Sequence, residues 1–155
     1  MDITPLVRAV EALPQDDAFK PQLSAQQWQQ LASVMKRREL AAGELLLRRG
    51  DIQAQAYLLE SGRLQVFVTG GAPRSHRVTL LDAGAILGEP ALFVAAPRMA
   101  HVEAAEPAVV WALSARGLHA MAADAPALVL EVLRAAGAVM AVRMRANLER
   151  GLPAA

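Results

Sequence analysis

The stretch Leu87-Gly88-Glu89-Pro90-Ala91-Leu92-Phe93, continued by Pro97-Arg98-Met99-Ala100-His101-Val102, decides how this chain is read. Gly88 has no Cβ, so the backbone can leave a strand there through a sharp turn. Pro90 suits the first position of a helix, where a missing N–H costs nothing. Ala91, Leu92 and Phe93 then supply one apolar turn. A one-turn helix behind a glycine presents unpaired N–H groups at its start, and these attract an anion. Arg98 lies just beyond, and a guanidinium grips two phosphate oxygens at once. Glu89, at the mouth of the turn, would repel phosphate and instead suits a sugar hydroxyl. Phosphate on one side and ribose on the other describes a nucleotide.

On either side of this stretch the apolar pattern has period near two. Leu40, Leu45, Leu47, Ile52, Tyr57, Leu59, Leu64, Val66, Val68, Val78 and Leu80 fall in short runs, punctuated by Gly43, Gly50, Gly62, Gly70-Gly71 and Gly84. Short strands broken by glycine turns predict an all-β sandwich or barrel. Two further strands are expected near residues 100–104 and 109–113. Ahead of the strands, residues 4–13 read as an amphipathic helix with Leu6, Val7, Val10 and Leu13 on one face. Ser24 and Gln27 form a capping box opening a second helix, which carries Trp28, Leu31, Val34 and Met35 and is expected to end at Lys36-Arg37-Arg38. After the strands, Ser114 caps a helix to about residue 123. A last helix spans residues 126–149, with Pro126 in its first turn and Gly151-Leu152-Pro153 as its stop. One domain over residues 1–155 is predicted: helices over 4–36, strands over 38–113 and C-terminal helices over 114–149.

The central stretch closely resembles the phosphate-binding cassette of the cyclic-nucleotide-binding domains, found in the catabolite activator family and the regulatory subunits of cAMP-dependent kinase. Gly88, Glu89, Pro97, Arg98, Ala100 and Val102 match the cassette, while Leu87 replaces its aromatic residue and Met99 its small or hydroxylated one. Ala42-Gly43-Glu44, Arg49-Gly50-Asp51 and Glu60-Ser61-Gly62-Arg63 resemble the family's turns. The resemblance spans residues 27–147. It implies a mainly β fold with flanking helices: a β jelly roll (double-stranded β-helix) with N-terminal helices, an internal one-turn cassette helix and two C-terminal helices. It implies that Glu89 takes the ribose 2′-hydroxyl and Arg98 the cyclic phosphate, helped by N–H groups over residues 88–92. The implied ligand set is Gly88, Glu89, Pro90, Ala91, Leu92, Arg98, Met99 and Ala100. In the family the last helix caps the purine, and by position Val139, Met140, Arg143 and Met144 are the candidates here. A threonine after the cassette arginine favours cGMP in the family; Met99 cannot donate that bond, so cAMP is the expected ligand.

Composition narrows the classes. With 155 residues, 54% of them hydrophobic and 20% charged, the chain can bury a proper core. A net charge of +1 offers no electrostatic case for nucleic acid. There is no cysteine, which removes disulfides and thiolate chemistry and fits a cytoplasmic location. No apolar run approaches the ~20 residues of a membrane helix. His76, His101 and His119 are too scattered for the metal site of a cupin, the enzymatic alternative for a jelly roll. No Ser-His-Asp or paired-carboxylate pattern suggests catalysis, so neither an enzyme nor a metal or cofactor is expected. Lys36-Arg37-Arg38 reads as a solvated helix end, favoured there by the helix dipole. Arg48-Arg49 and Arg74-His76-Arg77 read as strand edge and hairpin surface.

The last helix is apolar over a wide arc. Leu128, Val132, Ala135, Val139 and Val142 make one face, with Leu133, Ala136, Met140 and Met144 beside it. Such an arc either packs wholly on the strands or also meets a twin, and a homodimer through residues 126–149 is expected. Its anchors would be Val132, Val139 and Val142, with Ala135, Ala136, Gly137 and Ala138 allowing close approach. The expected function is a cyclic-nucleotide sensor that signals by movement of this helix. Such a sensor is expected to lack its own DNA-binding domain and to act through a partner protein or a fused effector. The alternative is a ligand-independent dimerisation or interaction module on the same fold.

Overall fold

The structure, a computed structural model, describes residues 2–67 and 77–149. The expectations for Val68, Gly70-Gly71, Arg74, His76 and Gly151-Leu152-Pro153 lie outside them. Two helices lead, α1 (Thr4–Ala12) and α2 (Ala25–Ala32). Eight strands follow: β1 (Met35–Leu40), β2 (Leu45–Leu47), β3 (Gln55–Ser61), β4 (Leu64–Phe67), β5 (Arg77–Leu81), β6 (Ile86–Leu87), β7 (His101–Ala104) and β8 (Ala108–Ser114). A single 3-10 turn, Glu89–Leu92, interrupts them between β6 and β7, and α3 (Ala115–Met121) and α4 (Pro126–Glu149) close the order. The strands form two antiparallel four-stranded sheets, ordered β1-β8-β3-β6 and β2-β7-β4-β5.

Strand β3 shows why the fold has two cores. Four consecutive residues, Ala56, Tyr57, Leu58 and Leu59, are buried, and their alternation divides them between the two faces of the strand. Tyr57 and Leu59 join Leu40, Leu64, Leu87, Val102 and Val110 in the interior of the roll. Ala56 and Leu58 face the other way, onto the helices, in a cluster with Leu6, Trp28, Leu31, Trp111, Leu128 and Val132. The outer face of the first sheet therefore shares this core with the described helices.

The capping box at the start of α2 is present with both of its bonds, Gln27 N–H to Ser24 Oγ at 3.1 Å and Ser24 N–H to Gln27 Oε1 at 2.9 Å. The end of that helix corrects the sequence reading. Helix α2 stops at Ala32, where the Ser33 hydroxyl turns back to the Gln30 carbonyl at 2.6 Å. Lys36-Arg37-Arg38 lies in β1, paired from Met35 to Leu40 along β8, and not at a helix end. The charges served no dipole; Arg38 pairs with Glu44 at 2.8 Å and Arg37 with Glu39 at 3.2 Å.

A second correction concerns α4. Val132, Ala135, Ala136 and Val139 are all at most 3% exposed, inside the helix-side core. Two of the three expected dimer anchors are thus committed within the chain, each burial being worth roughly 1.5–3 kcal/mol. The apolar side chains that α4 leaves exposed are Leu130, Val142, Met144 and Leu148. Among the described residues, no helix is long and apolar enough to cross a membrane.

Candidate functional site

Gly88 leaves β6 with φ +70, in the left-handed region, and the 3-10 turn begins at the next residue. A Cβ at this position would stand 2.6 Å from Arg98 Nη1 and 3.3 Å from the Gln55 carbonyl oxygen. The site therefore requires glycine twice, for its dihedral and for the arginine that passes over it. Phe93 N–H and Val94 N–H both reach the Pro90 carbonyl, at 3.0 and 3.1 Å, which closes the turn. One amide expected to face the ligand is already used, since Ala91 N–H donates to the Gly88 carbonyl at 3.1 Å. Pro90 has no N–H to offer.

The backbone of Arg98 is fixed by the loop after β2. Gly50 N–H donates to its carbonyl at 2.9 Å, its own N–H donates to the Asp51 carbonyl at 2.8 Å, and Ile52 bridges Pro97 beside it. His101 adds to the same clasp, its Nδ1 accepting from Arg49 N–H at 3.1 Å. The Arg98 side chain runs inward and is 8% exposed. Nη1 donates to the Gly88 carbonyl at 3.2 Å and Nη2 to the Gln55 carbonyl. Nε is buried with no hydrogen-bond partner. Burial holds this guanidinium below the usual arginine range, opposed by the nearby Tyr57 hydroxyl and Glu89 carboxylate. Burial likewise pushes the Tyr57 hydroxyl up, with Arg98 and Arg38 acting against it. Among the described residues the Arg98 guanidinium is hydrogen-bonded by carbonyls and makes no carboxylate ion pair, so its positive charge can still attract an anion.

Glu89 is 4% exposed and does not pair with Arg98. Its two oxygens instead accept from Arg143 Nη1, at 3.0 and 3.1 Å, across from α4. Arg143 Nε donates in turn to Asp17 Oδ2 at 2.9 Å, on the connection between α1 and α2. Of the other α4 candidates, Val139 is 1% exposed in the core, Met140 is half-buried and Met144 is exposed. In the cassette, Ala91 is buried, Leu92 and Ala100 are half-buried, and Met99 is exposed. Sequence reasoning missed Gln55, Tyr57 and Asp17. Gln55 acts through its backbone carbonyl, which no side-chain pattern announces. Asp17 lies 126 positions from Arg143 and carried no motif. Among the described residues, no group of three or more His, Asp or Glu side chains could hold a metal ion.

Comparison with known proteins gives the family of the chain. The cyclic nucleotide-binding domain family matches residues 37–125, more than half of the chain, and the chain belongs to that family. A cAMP-dependent protein kinase regulatory subunit from Blastocladiella emersonii is 37% identical over 91 residues, covering 59% of this chain and 23% of that protein. The catabolite activator protein of Thermus thermophilus has a similar structure, with a TM-score of 0.72 at 28% identity over 84% of this chain and 60% of that one. A cyclic nucleotide-binding domain from Methylobacillus flagellatus shares the fold over 96% of this chain and 81% of its own, with a TM-score of 0.78 at 24% identity. The chain spans about a quarter of the length of the curated relatives it matches. The matched unit is a regulatory binding domain of jelly-roll fold, and a cyclic mononucleotide such as cAMP is the ligand class the family implies.

Proposed function

We propose that this domain senses a cyclic mononucleotide, with cAMP preferred, and passes the signal on through α4. The observation that carries the reading is Arg98, a buried guanidinium whose Nε has no hydrogen-bond partner among the described residues and whose other nitrogens bond to carbonyls. The cyclic phosphate lies on Arg98 and the turn after Gly88, the ribose hydroxyl on Glu89, and the base under α4 near Met140 and Met144. The ligand undergoes no chemistry. Because Arg143 joins α4 to Glu89, occupation of the site is felt by the helix. A ligand shifts the helix only by the difference in its affinity for two positions of that helix. Met99 lacks the hydroxyl that favours cGMP, which supports the cAMP preference.

The exposed stripe Leu130, Met144 and Leu148 supports a homodimer through α4. An apolar stripe of this kind usually marks an association surface. A partner protein or a fused effector domain then receives the signal. Melting the chain with cAMP, cGMP and cyclic dinucleotides tests the ligand class. Stabilisation by cAMP at micromolar concentration supports the reading. No shift with any of them at millimolar concentration replaces it with a ligand-independent interaction module.

A further inference from the structure

Arg143 has two carboxylate partners, and only one of them belongs to the cassette. Asp17 comes from the connection between α1 and α2, outside the cassette. That connection is held firmly. Phe19 is 1% exposed in the helix-side core, Lys20 Nζ donates to the Val10 and Glu11 carbonyls at the end of α1, and Gln22 N–H donates to Glu131 Oε2 at 2.7 Å. Asp17 is thus a carboxylate at a fixed place, not a surface group that happens to meet an arginine. It takes Nε of Arg143 while Nη1 faces Glu89. A guanidinium is planar, so fixing one edge fixes the direction of the others.

We propose that Asp17 is a positioning residue of the ligand site, orienting Arg143 so that Arg143 orients Glu89 for a ligand hydroxyl. A carboxylate offers about four acceptor positions, so Glu89 can hold Arg143 and still accept a hydroxyl. Side-chain exposure falls along the series, from 29% at Asp17 through 21% at Arg143 to 5% at Glu89. The outer carboxylate holds the bridging arginine, and the arginine holds the buried carboxylate. Without Asp17, Arg143 keeps a partner at Glu89 but loses the contact that fixes its plane. The N-terminal connection then becomes part of the binding site although it touches no ligand. The proposal rests on the nucleotide reading for its ligand, but the relay itself can be measured without one.

Two measurements on the full chain test it. The first is a ligand-free melting cycle of Asp17→Asn and Glu89→Gln, residues joined through Arg143. The double variant should depart from the sum of the single shifts by about 2 °C or more, and additivity overturns the relay. The second is calorimetric titration with cAMP. Asp17→Asn should weaken binding about tenfold, a loss of about 1.4 kcal/mol. Adding it to Arg143→Gln should cause no further loss. Glu131→Gln, which takes the charge out of the other tie between connection and helix, should bind as wild type does. Equal weakening by Glu131→Gln would reduce Asp17 to a general brace and overturn the proposal. A wild type that binds no cyclic mononucleotide refutes the nucleotide reading, and the melting cycle alone then decides the relay.

Discussion

Arg143 of α4 donates to both carboxylate oxygens of Glu89 through one nitrogen, at 3.0 and 3.1 Å, while Arg98 turns away from that carboxylate toward the carbonyls of Gly88 and Gln55. The two cassette charges are therefore separated. The acid is neutralised by the C-terminal helix, and the base is left for an anion. An ion pair between Glu89 and Arg98 would have cancelled the site.

Removing the buried base should remove the site. Arg98→Ala should weaken cAMP binding about thirtyfold or more, since truncating a buried charged partner costs about 2–5 kcal/mol. Arg98→Lys should recover little of it, because an ammonium cannot span the two carbonyls and a phosphate together. Calorimetry checks both variants, and wild-type affinity in Arg98→Ala contradicts the assignment.

Gly88→Ala tests the turn. The left-handed dihedral costs an L-residue about 1–2 kcal/mol, and the added Cβ would stand 2.6 Å from Arg98 Nη1. Melting should show a folded, destabilised domain, and binding should fall with it because Arg98 must move. Unchanged affinity would show that this approach is not needed.

Met99→Ser should improve affinity for cAMP about tenfold or more, a gain of about 1.5–3 kcal/mol from one new hydrogen bond to a charged group. The wild type should prefer cAMP to cGMP. Competition titration with both nucleotides measures this, and tighter cGMP binding in the wild type contradicts it.

The helix-side core and the exposed stripe of α4 predict opposite outcomes for two substitutions on one helix. Leu130→Glu, at a position 69% exposed, should leave the fold intact and yield monomers in sedimentation. Val139→Glu, at a position 1% exposed, should unfold the domain by burying an unpaired charge. A wild type that sediments as a monomer at high micromolar concentration removes the dimer.

Acid stability should carry the mark of Glu131. Hydrogen bonds from Arg134 and from Gln22 N–H hold its carboxyl down at about 2, against an ordinary value of 4.5. A carboxyl depressed by folding stabilises the fold fully above its unfolded value, and that contribution is lost as pH falls toward the folded one. The wild-type melting temperature should thus drop between about pH 4.5 and 2, and Glu131→Gln should flatten the drop. Equal slopes in the two proteins contradict this.

The cassette was legible because its signals are local. Gly88, Glu89 and Pro90 announce the turn, and Arg98, which the fold buries beside it, stands within eleven positions. The roll was legible through glycine turns and period-two runs. Where β1 begins was not, because Val34 and Met35 continue the apolar spacing of α2 while Lys36-Arg37-Arg38-Glu39 hides the alternation of a strand. The anchors of α4 were misjudged for a related reason. A wide apolar arc shows that a helix buries much, but the sheet it buries against is set by contacts distant in sequence. Asp17 was invisible for the same cause, since its meaning depends on a partner on the far side of the chain.

Calorimetric titration of cAMP into the wild type and Arg98→Ala, side by side, tests the central claim most directly. The account predicts saturable one-site binding per chain to the wild type and none to the variant at the same concentrations. Equal binding by the two proteins would contradict it.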